Sequence, residues 1–417
     1  MEAAKPMAQI PLPPPASRQR LSALSGLRVI DFSTSIAGPY GSQCLADLGA
    51  EVVKIERTES GDDSRQWGPP FLDEFSLWFL SVNRNKSSIA LNLNCEDGQS
   101  LCRSLVAQAD VVISNQLKTA QEKLGIDWES LRAINPQLIH ASLTGFGLEG
   151  TRSLHTCYDL IAEGYSGIMD MTGEAGGDPQ KIGTPAADLL AGMDLAVAVL
   201  AALIQRQRDG VGHQIDISMV DSATRFMGPR LMSYLGSGIL PRRDGARESV
   251  IAIYQTFNTK TDPITLGLGN DSIWQRFWIT VGKPEVGQDP LYGSNALRRE
   301  HRQALVQTIQ DLLLHKTQNE WLAIFAKNKI PAGPINRLDQ ISQDPEMQRR
   351  GMFYEVRSRG DTRIPQVGLG ILIDNQASFC EKSPPLLGED TITILKKWLN
   401  APDSEIQMLL DNGIVKG

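Results

Sequence analysis

The sequence predicts an α/β protein with a parallel sheet that carries helices on both faces. From residue 27 to residue 219, short apolar strand patterns alternate with helical patterns, and such alternation is typical of βαβ units. A long apolar helical pattern over 185–208 adds an element that needs a large core to bury it. At 417 residues the chain is also too long for one small core, so two or three domains are expected.

The strand patterns are compact and apolar, as buried parallel strands require. They lie at 27–32, 51–55, 88–93, 109–114, 138–143 and 213–219. Between them, apolar residues recur at helical spacing at 38–49, 97–107, 128–134, 158–169 and 185–208. Parallel sheets bind ligands beyond the carboxyl ends of their strands, so the turns that follow these strands form the expected functional edge.

The pattern changes near residue 245, where aromatic strand candidates (251–257 and 264–268) lead into two helices (272–281 and 298–314). We interpret this part as a smaller domain. The predicted organisation is a disordered leader over 1–26, a large domain over 27–225, a linker over 226–244, the small domain over 245–335, and a loop-rich segment over 336–417 that packs back on the large domain.

Charge and cysteine usage exclude several classes of protein. The net charge of −7 argues against non-specific nucleic-acid binding. Five cysteines, odd in number and without a C-x-x-C pair, indicate reduced thiols in a cytoplasmic protein. The longest apolar run, Leu195–Ile204, is too short to span a membrane and is expected to be a buried helix. We therefore predict neither a nucleic-acid nor a membrane partner.

Three motifs have competing explanations. Gly145–Gly150 fits G-x-G-x-x-G after a strand, but Glu149 would oppose a pyrophosphate, so a dinucleotide site is disfavoured. The basic residues around 61–63 indicate either an anionic ligand or a solvated loop; they are Lys54, Arg57 and Arg65. The His155–Asp159 run contains Cys157 but lacks the second ligand pair of structural zinc sites, and we predict no metal.

Asp188 is the most informative single residue. Thr184 is a plausible N-cap and Pro185 a natural first helical position, which places Asp188 about one turn into the long apolar helix. Backbone N–H groups there favour an ionised carboxylate. Such a carboxylate, with small and apolar neighbours, is either a nucleophile or only a partner of the helix dipole. The turn Leu266–Asn270 is likewise either a tight turn or a source of N–H groups for an oxyanion.

Taken together, these segments resemble the class III CoA-transferases (CaiB/BaiF, formyl-CoA transferase-like), from about Leu27 to Val415. The resemblance rests on the order and spacing of LRVIDFSTSIAGPYGSQCLADLGAEVVKIER at 27–57, GDDSRQWGPP at 61–70, NRNKSSIALNL at 83–93, EKLGIDWESLRAINPQLIHASLTGFG at 122–147, YDLIAEGYSGIMDMTG at 158–173, PAADLLAGM at 185–193 and PPLLGEDT at 384–391.

The resemblance implies a chemical role for Asp188, which falls on the family's catalytic aspartate. That aspartate attacks an acyl-CoA thioester, forms a mixed anhydride, and then becomes an aspartyl-CoA thioester. The resemblance also implies a Rossmann-like large domain built from both chain ends and an interlocked homodimer. Coenzyme A esters and carboxylic acids enter as substrates, without a separate cofactor. The implied supporting residues are Tyr158, Asp159, Gly267, Gly269, Asn270, Ile36 and Ala37.

The implied CoA contacts are carried over unevenly. Arg57 matches an arginine on the adenine and phosphate side, Asn115 matches an asparagine, and Lys123 takes the place of an arginine. Segments 91–94 and 155–158 fall on stretches that line the CoA groove. Within them lie Leu91, Asn94, His155 and Thr156.

Two alternatives to CoA transfer stay open. The related 2-methylacyl-CoA racemases pair the aspartate with a histidine in a G-H-D segment, but here that segment reads Cys157-Tyr158-Asp159. A racemase would therefore lack its second base. The altered groove positions also allow a non-catalytic CoA-binding protein. For a transferase, overall similarity favours a small dicarboxylate acceptor such as succinate, glutarate or itaconate.

Overall fold

The computed structural model describes residues 10–13 and 21–417. The strands are β1 Arg28–Asp31, β2 Glu51–Glu56, β3 Phe71–Leu72, β4 Phe75–Ser76, β5 Lys86–Leu91, β6 Val111–Ser114, β7 Ile139–Thr144, β8 Gln214–Ser218, β9 Tyr254–Phe257, β10 Ile264–Gly267, β11 Ala332–Pro334, β12 Phe353–Arg357, β13 Arg363–Val367, β14 Leu372–Ile373, β15 Gln376–Ala377 and β16 Val415–Lys416.

The helices are α1 Ala37–Asp47, α2 Leu77–Ser81, α3 Glu96–Val106, α4 Lys118–Leu124, α5 Trp128–Ile134, α6 Asp159–Ser166, α7 Ile168–Met171, α8 Ala186–Asp209, α9 Met219–Phe226, α10 Gly228–Ser237, α11 Asp271–Thr280, α12 Pro284–Gln288, α13 Asn295–Glu300, α14 Arg302–Leu313, α15 Gln318–Lys327, α16 Leu338–Ser342, α17 Pro345–Arg349, α18 Thr391–Leu399 and α19 Asp403–Asp411.

The predicted α/β fold with a large, mainly parallel sheet is confirmed. Seven strands run in the order β16-β5-β2-β1-β6-β7-β8. All neighbouring pairs are parallel except β16 with β5. Leaving out β16, the order is that of a doubly wound dinucleotide-binding sheet. Strand β16 comes from the end of the chain, where Val415 pairs with Leu91.

Alternate residues of the central strands enter cores on opposite faces of the sheet, as the two-residue period of a strand requires. On β1, Val29 lies in the core formed with α1 and α8, whereas Ile30 lies in the core formed with α3, α18 and α19. By length and composition, helix α8 is apolar enough to cross a membrane, but its residues Ala191, Leu195 and Val199 are fully buried in the first of these cores.

The chain separates into two compact units. The larger contains the chain up to Ile168, Lys181–Gly236 and Ser342–Gly417, and the smaller contains Met169–Gln180 and Ser237–Ile341. The smaller unit has an antiparallel sheet, β11-β10-β9, and an aromatic core around Trp274, Trp278 and Phe325.

Several boundaries differ from the sequence prediction. The range 226–244, predicted as a linker, contains helix α10. The segment 336–417, predicted to be loop-rich, contains helices α18 and α19, so the prediction was wrong over those two helices. Of the predicted leader, residues 1–9 and 14–20 lie outside the described residues. Leu21 is buried and Leu24 packs on the core beside α1, so residues 21–26 belong to the large unit.

Helices α1 and α8 cross at a pair of glycines. A Cβ at Gly192 would lie 2.6 Å from the carbonyl oxygen of Ala37, and one at Gly41 would lie 2.7 Å from the carbonyl oxygen of Gly192. Both contacts are with backbone, which cannot rotate away. Glycine at these positions therefore allows the first turn of α1 to lie against α8 one turn beyond Asp188.

Gly192→Ala is expected to destabilise the large unit by about 1–3 kcal/mol, because the added methyl overpacks the helix crossing. Thermal unfolding measures the effect. The matched control is Gly236→Ala on α10, where a Cβ meets nothing within 4 Å; this change should be neutral or slightly stabilising. Equal melting temperatures for the two variants would contradict the close crossing.

Candidate active site

The carboxyl ends of β1 and β6 meet where the strand order of the sheet reverses, which is where open α/β sheets bind ligands. The loop after β1 is fixed there by Asn115, which follows β6. Asn115 Oδ1 accepts from the backbone N–H of Thr34 at 3.0 Å, and Asn115 Nδ2 donates to the carbonyl of Thr34 at 2.8 Å. Asn115, predicted to contact CoA, thus also positions this loop. Ser35, with a φ of 69°, donates its N–H to Asp62.

A buried ion network lies beneath the same loop. Lys54 Nζ lies 2.8 Å from Asp62 Oδ2 and donates to the carbonyl of Ser33 at 2.5 Å; both charged side chains are fully buried. Arg65 pairs with Glu56 at 2.7 Å. Lys54 therefore belongs to the interior of the protein, and Arg65 is partly buried against Glu56. Of the three basic residues around 61–63, Arg57 is the exposed one.

The loop delivers Ile36 and Ala37 to the start of α1. Both are buried, with exposed fractions of 2% and 3%. The approach of the Ala37 carbonyl to Gly192 places the first turn of α1 beside the first turns of α8. The two predicted supporting residues therefore lie on the side of α8 that carries Asp188.

Asp188 lies in the first turn of α8, as predicted, but its environment differs from the prediction. The N-cap residue is Pro185 and not Thr184, and no side chain of the cap residue bonds to the helix. Asp188 is partly buried. Burial, followed by the nearby charge of Asp159, raises the pKa of Asp188 from 3.8 to about 7. This shift runs opposite to the stabilised anion that the position in the helix predicts.

Asp159 adds to the effect of burial. It begins α6, and its Oδ1 accepts from the backbone N–H of Ala187 at 2.8 Å and of Asp188 at 3.4 Å. The N–H groups at the start of α8 thus serve Asp159 instead of Asp188. Burial and then the charge of Asp188 raise the pKa of the Cys157 thiol to about 11. Tyr158, between Cys157 and Asp159, is 65% exposed.

The residues predicted to contact CoA are spread along the sheet edge and its loops. Arg57 donates through Nε and Nη2 to the carbonyl of Gly61, at 3.0 and 2.9 Å, and pairs with Asp63. Lys123 and Asn94 are exposed, whereas Leu91 is buried in β5. Thr156 and His155, also predicted to contact CoA, are exposed. The His155 ring packs edge-on against the Phe146 ring, with 5.8 Å between the ring centroids.

The predicted glycine turn lies in the smaller unit, after β10. Gly267 donates its N–H to the carbonyl of Pro331 at 3.0 Å. Asn270 is the N-cap of α11, with its side chain accepting from Ile273 N–H at 2.9 Å. Gly269 is exposed, and a Cβ there would meet nothing within 4 Å. Asn270 therefore has a structural partner, and Gly269 has open space around it.

The G-x-G-x-x-G segment is not arranged to receive a pyrophosphate. The N–H of Leu148 donates to both carboxylate oxygens of Asp216, at 3.2 and 3.0 Å, and the N–H of Gly147 donates to Thr144 Oγ1 at 2.9 Å. An internal carboxylate and a threonine hydroxyl thus occupy the N–H groups that would bind phosphate oxygens.

Glu163 is the buried site residue that sequence reasoning missed. It lies four residues after Asp159 on α6, is fully buried, and its Oε2 accepts from Ile182 N–H at 2.9 Å. The signal was present in YDLIAEGYSG, because residues four apart share a helix face. Within the described chain, no group of three or more acidic, histidine or cysteine side chains is arranged to hold a metal ion.

The comparisons with known proteins define the family. A match to CoA-transferase family III spans residues 24–391. The chain is 37% identical to the succinate–glutarate CoA-transferase of Agrobacterium fabrum, over 90% of this chain and 96% of that protein. It is 33% identical to human succinyl-CoA:glutarate CoA-transferase, over 96% of this chain and 92% of that protein.

The structural comparison agrees. A crystal structure of a CaiB/BaiF family protein from Brucella suis matches with a TM-score of 0.79 at 36% identity, covering 91% of this chain and 100% of that one. The fold and the sequence define a CoA-transferase. The chain belongs to CoA-transferase family III.

Proposed function

We propose that this enzyme transfers CoA from an acyl-CoA to a small dicarboxylic acid, with Asp188 as the nucleophile. One observation supports this most strongly: a partly buried carboxylate with a pKa raised to about 7 lies in the first turn of α8, beside the buried start of α1. Two of the similar enzymes are named for transfer between succinate and glutarate. Their names support a dicarboxylate acceptor.

In the first half-reaction, a carboxylate oxygen of Asp188 attacks the thioester carbonyl. The C–S bond breaks, CoA leaves as a thiolate, and the acyl group remains on Asp188 as a mixed anhydride. The thiolate then attacks the aspartyl carbonyl, which releases the donor acid as its carboxylate and leaves an aspartyl-CoA thioester. The acceptor carboxylate runs the same two steps in reverse and departs as the new CoA ester.

The raised pKa of Asp188 makes the first step easier. An ordinary aspartate, with a pKa near 4, would displace a thiolate whose parent thiol lies between about 8 and 9, a mismatch of roughly 6 kcal/mol. With a pKa of about 7 for Asp188, the mismatch falls to roughly 2 kcal/mol. The burial that disfavours the anion thus also makes it a better nucleophile.

The remaining residue roles belong to the same proposal. Arg57 and Lys123 contact CoA phosphates, while Leu91, Asn94, His155 and Thr156 line its groove. Asn115 also contacts CoA, Ile36 and Ala37 lie near the thioester, and the family resemblance implies a shielding role for the Gly267–Asn270 turn. The enzyme acts as a cytoplasmic homodimer without a separate cofactor. Tyr158 at the position of the racemase histidine weighs against α-proton transfer, since a phenol is a poor base at neutral pH.

The acid limb of the pH profile should report Asp188. Because the nucleophile must be ionised, kcat/KM is expected to rise with pH and level off above about 7, the pKa of Asp188. Asp159→Asn removes the neighbouring negative charge and should shift this midpoint to lower pH. Initial rates from pH 5 to 9 measure both. A midpoint near 4 in the unaltered enzyme, or an upward shift in Asp159→Asn, would contradict this environment.

Transfer itself is tested by incubating the enzyme with succinyl-CoA and a panel of acids, with product esters resolved by liquid chromatography. We expect glutaryl-CoA and related dicarboxylyl-CoA esters, with much slower transfer to acetate as the monocarboxylate control. Absence of exchange with every acid, despite CoA-ester binding, would favour a non-catalytic protein. Deuterium incorporation at the α-carbon of a 2-methylacyl-CoA without any acceptor would favour a racemase.

A further inference from the structure

Two carboxylates on α6 hold the two ends of the turn that leads into α8. Asp159 Oδ1 accepts from the N–H groups of Ala187 and Asp188, at 2.8 and 3.4 Å. Glu163 Oε2 accepts from the N–H of Ile182 at 2.9 Å. Residues four apart share one face of a helix. The segment from Ile182 to Ala187 is therefore tied at both ends to the same face of α6.

Glu163 is unusual in its burial. Its exposed fraction is zero, and its Oε1 has no hydrogen-bond partner of standard geometry among the described residues. Burial raises the pKa of Glu163, and the charge and hydrogen bonding of Asp159 raise it further. A buried carboxylate with an unpaired oxygen is costly as an anion. Asp159, one helical turn earlier on α6, is the acidic side chain whose charge acts on Glu163.

We propose that Glu163 is a positioning residue for the CoA-transfer reaction. It fixes Asp159 and the Ile182–Ala187 turn so that Asp188 is presented to the thioester. The inference rests on the function proposed above, because Asp188 is the reacting group. Glu163 is fully buried, so it acts through Asp159 and the turn without touching substrate.

We call the contacts of Asp159 and Glu163 with the Ile182–Ala187 turn the clamp. The clamp also fixes the charge beside the nucleophile. While Asp159 caps α8, its charge stays beside Asp188 and occupies the helix N–H groups. The other charged group acting on Glu163 is Lys181, whose Nζ donates to the carbonyl of Ile182 at 2.8 Å. The remaining titratable neighbour of Asp188 is the Cys157 thiol. If Asp159 swings away, Asp188 loses a repulsive neighbour and gains donors, so its pKa falls.

The test compares Glu163→Leu with Glu163→Gln. Leucine removes the hydrogen bond from Ile182 and the polar group beside Asp159, whereas the glutamine amide can accept from Ile182 and keeps a polar group beside Asp159. We expect kcat to fall about 100-fold in Glu163→Leu, with KM for succinyl-CoA within about twofold because no substrate contact is lost. The acid-limb midpoint should drop by about one pH unit. Glu163→Gln should restore kcat to within about threefold. Glu122→Leu, at an exposed glutamate on α4, is the matched control and should behave as wild type.

Hydrogen exchange provides a readout that does not depend on activity. Mass spectrometry of peptides covering 181–190 should show faster amide exchange at Ile182 and Ala187 in Glu163→Leu, and wild-type protection in Glu163→Gln. Unchanged exchange in Glu163→Leu, or faster exchange with unchanged kcat, overturns the positioning role. Equal losses in the leucine and glutamine variants also overturn it. An unaltered enzyme that transfers no CoA at all while the clamp is intact instead refutes the proposed function.

Discussion

Asp188→Asn is expected to abolish CoA transfer while making the folded protein more stable at pH 8. The amide cannot form the anhydride, and removal of a covalent nucleophile lowers kcat by about ten-thousand-fold or more in enzymes of known mechanism. Acyl-CoA binding should change little, because asparagine has the shape of aspartate. Steady-state transfer and isothermal titration with succinyl-CoA measure the two effects.

The gain in stability follows from the raised pKa. The folded chain holds a proton on Asp188 up to a pH of about 7, whereas the unfolded chain releases it near 3.8. Stability therefore decreases as pH rises between these values, by roughly 2 to 4 kcal/mol for a partly buried group. Asp188→Asn avoids this loss, so its advantage should be largest at pH 8 and small near pH 4.

The control for this prediction is Asp194→Asn, on the same helix, where the carboxylate pairs with Arg225. It should lower stability slightly or leave it unchanged, and it should keep CoA transfer. Chemical denaturation at pH 5 and pH 8 compares the variants. An Asp188→Asn protein that is less stable than wild type at pH 8 would contradict the desolvated environment of this carboxylate.

Lys54→Met should destabilise the large unit more than any surface change. It leaves the fully buried Asp62 without its ion-pair partner at 2.8 Å, and breaking one side of a buried pair costs about 3–5 kcal/mol. Although burial acts to raise it, the Lys54 charge holds the pKa of Asp62 at about 2. The variant also removes the donor to the Ser33 carbonyl, so the loop that delivers Ile36 and Ala37 should loosen and kcat should fall.

The double variant Lys54→Met/Asp62→Asn tests whether the unpaired charge of Asp62 causes the loss of stability. Asparagine keeps an oxygen that can accept from Ser35 and Ser64 N–H but no longer buries an unpaired charge, so much of the lost stability should return. The surface control Lys123→Met should unfold at the wild-type denaturant concentration. A single Lys54→Met variant within about 1 kcal/mol of wild type would show that the network contributes little.

The order of strands and helices in the large unit could be predicted because its buried parallel strands are short apolar runs between helical patterns. The prediction failed where no pattern exists. Strand β16 has two residues and is held only by pairing with β5. Helix α18 follows Pro384 and Pro385, which are typical of loops. Within the helix, Ile394, Leu395 and Trp398 form a buried stripe.

The position of Asp188 could be predicted from the start of its helix, but the direction of its pKa shift could not. The rule that helix N–H groups stabilise a first-turn carboxylate assumes that these groups are free. Here Asp159, 29 residues earlier in the chain, accepts them. Packing of α6 against α8 creates this contact, and no local pattern encodes it. The same limit applies to Asn115, whose partner Thr34 lies 81 residues away.

The most direct test of covalent catalysis is to find the acyl carrier. The enzyme is incubated with succinyl-CoA, quenched in acid during turnover, digested, and analysed by mass spectrometry, with borohydride used to reduce any thioester. We predict a CoA adduct on the peptide that contains Asp188, its conversion by borohydride at that residue alone, and no adduct in Asp188→Asn. Rapid turnover in which Asp188 is recovered only unmodified, or an adduct on another residue, would contradict the proposed mechanism.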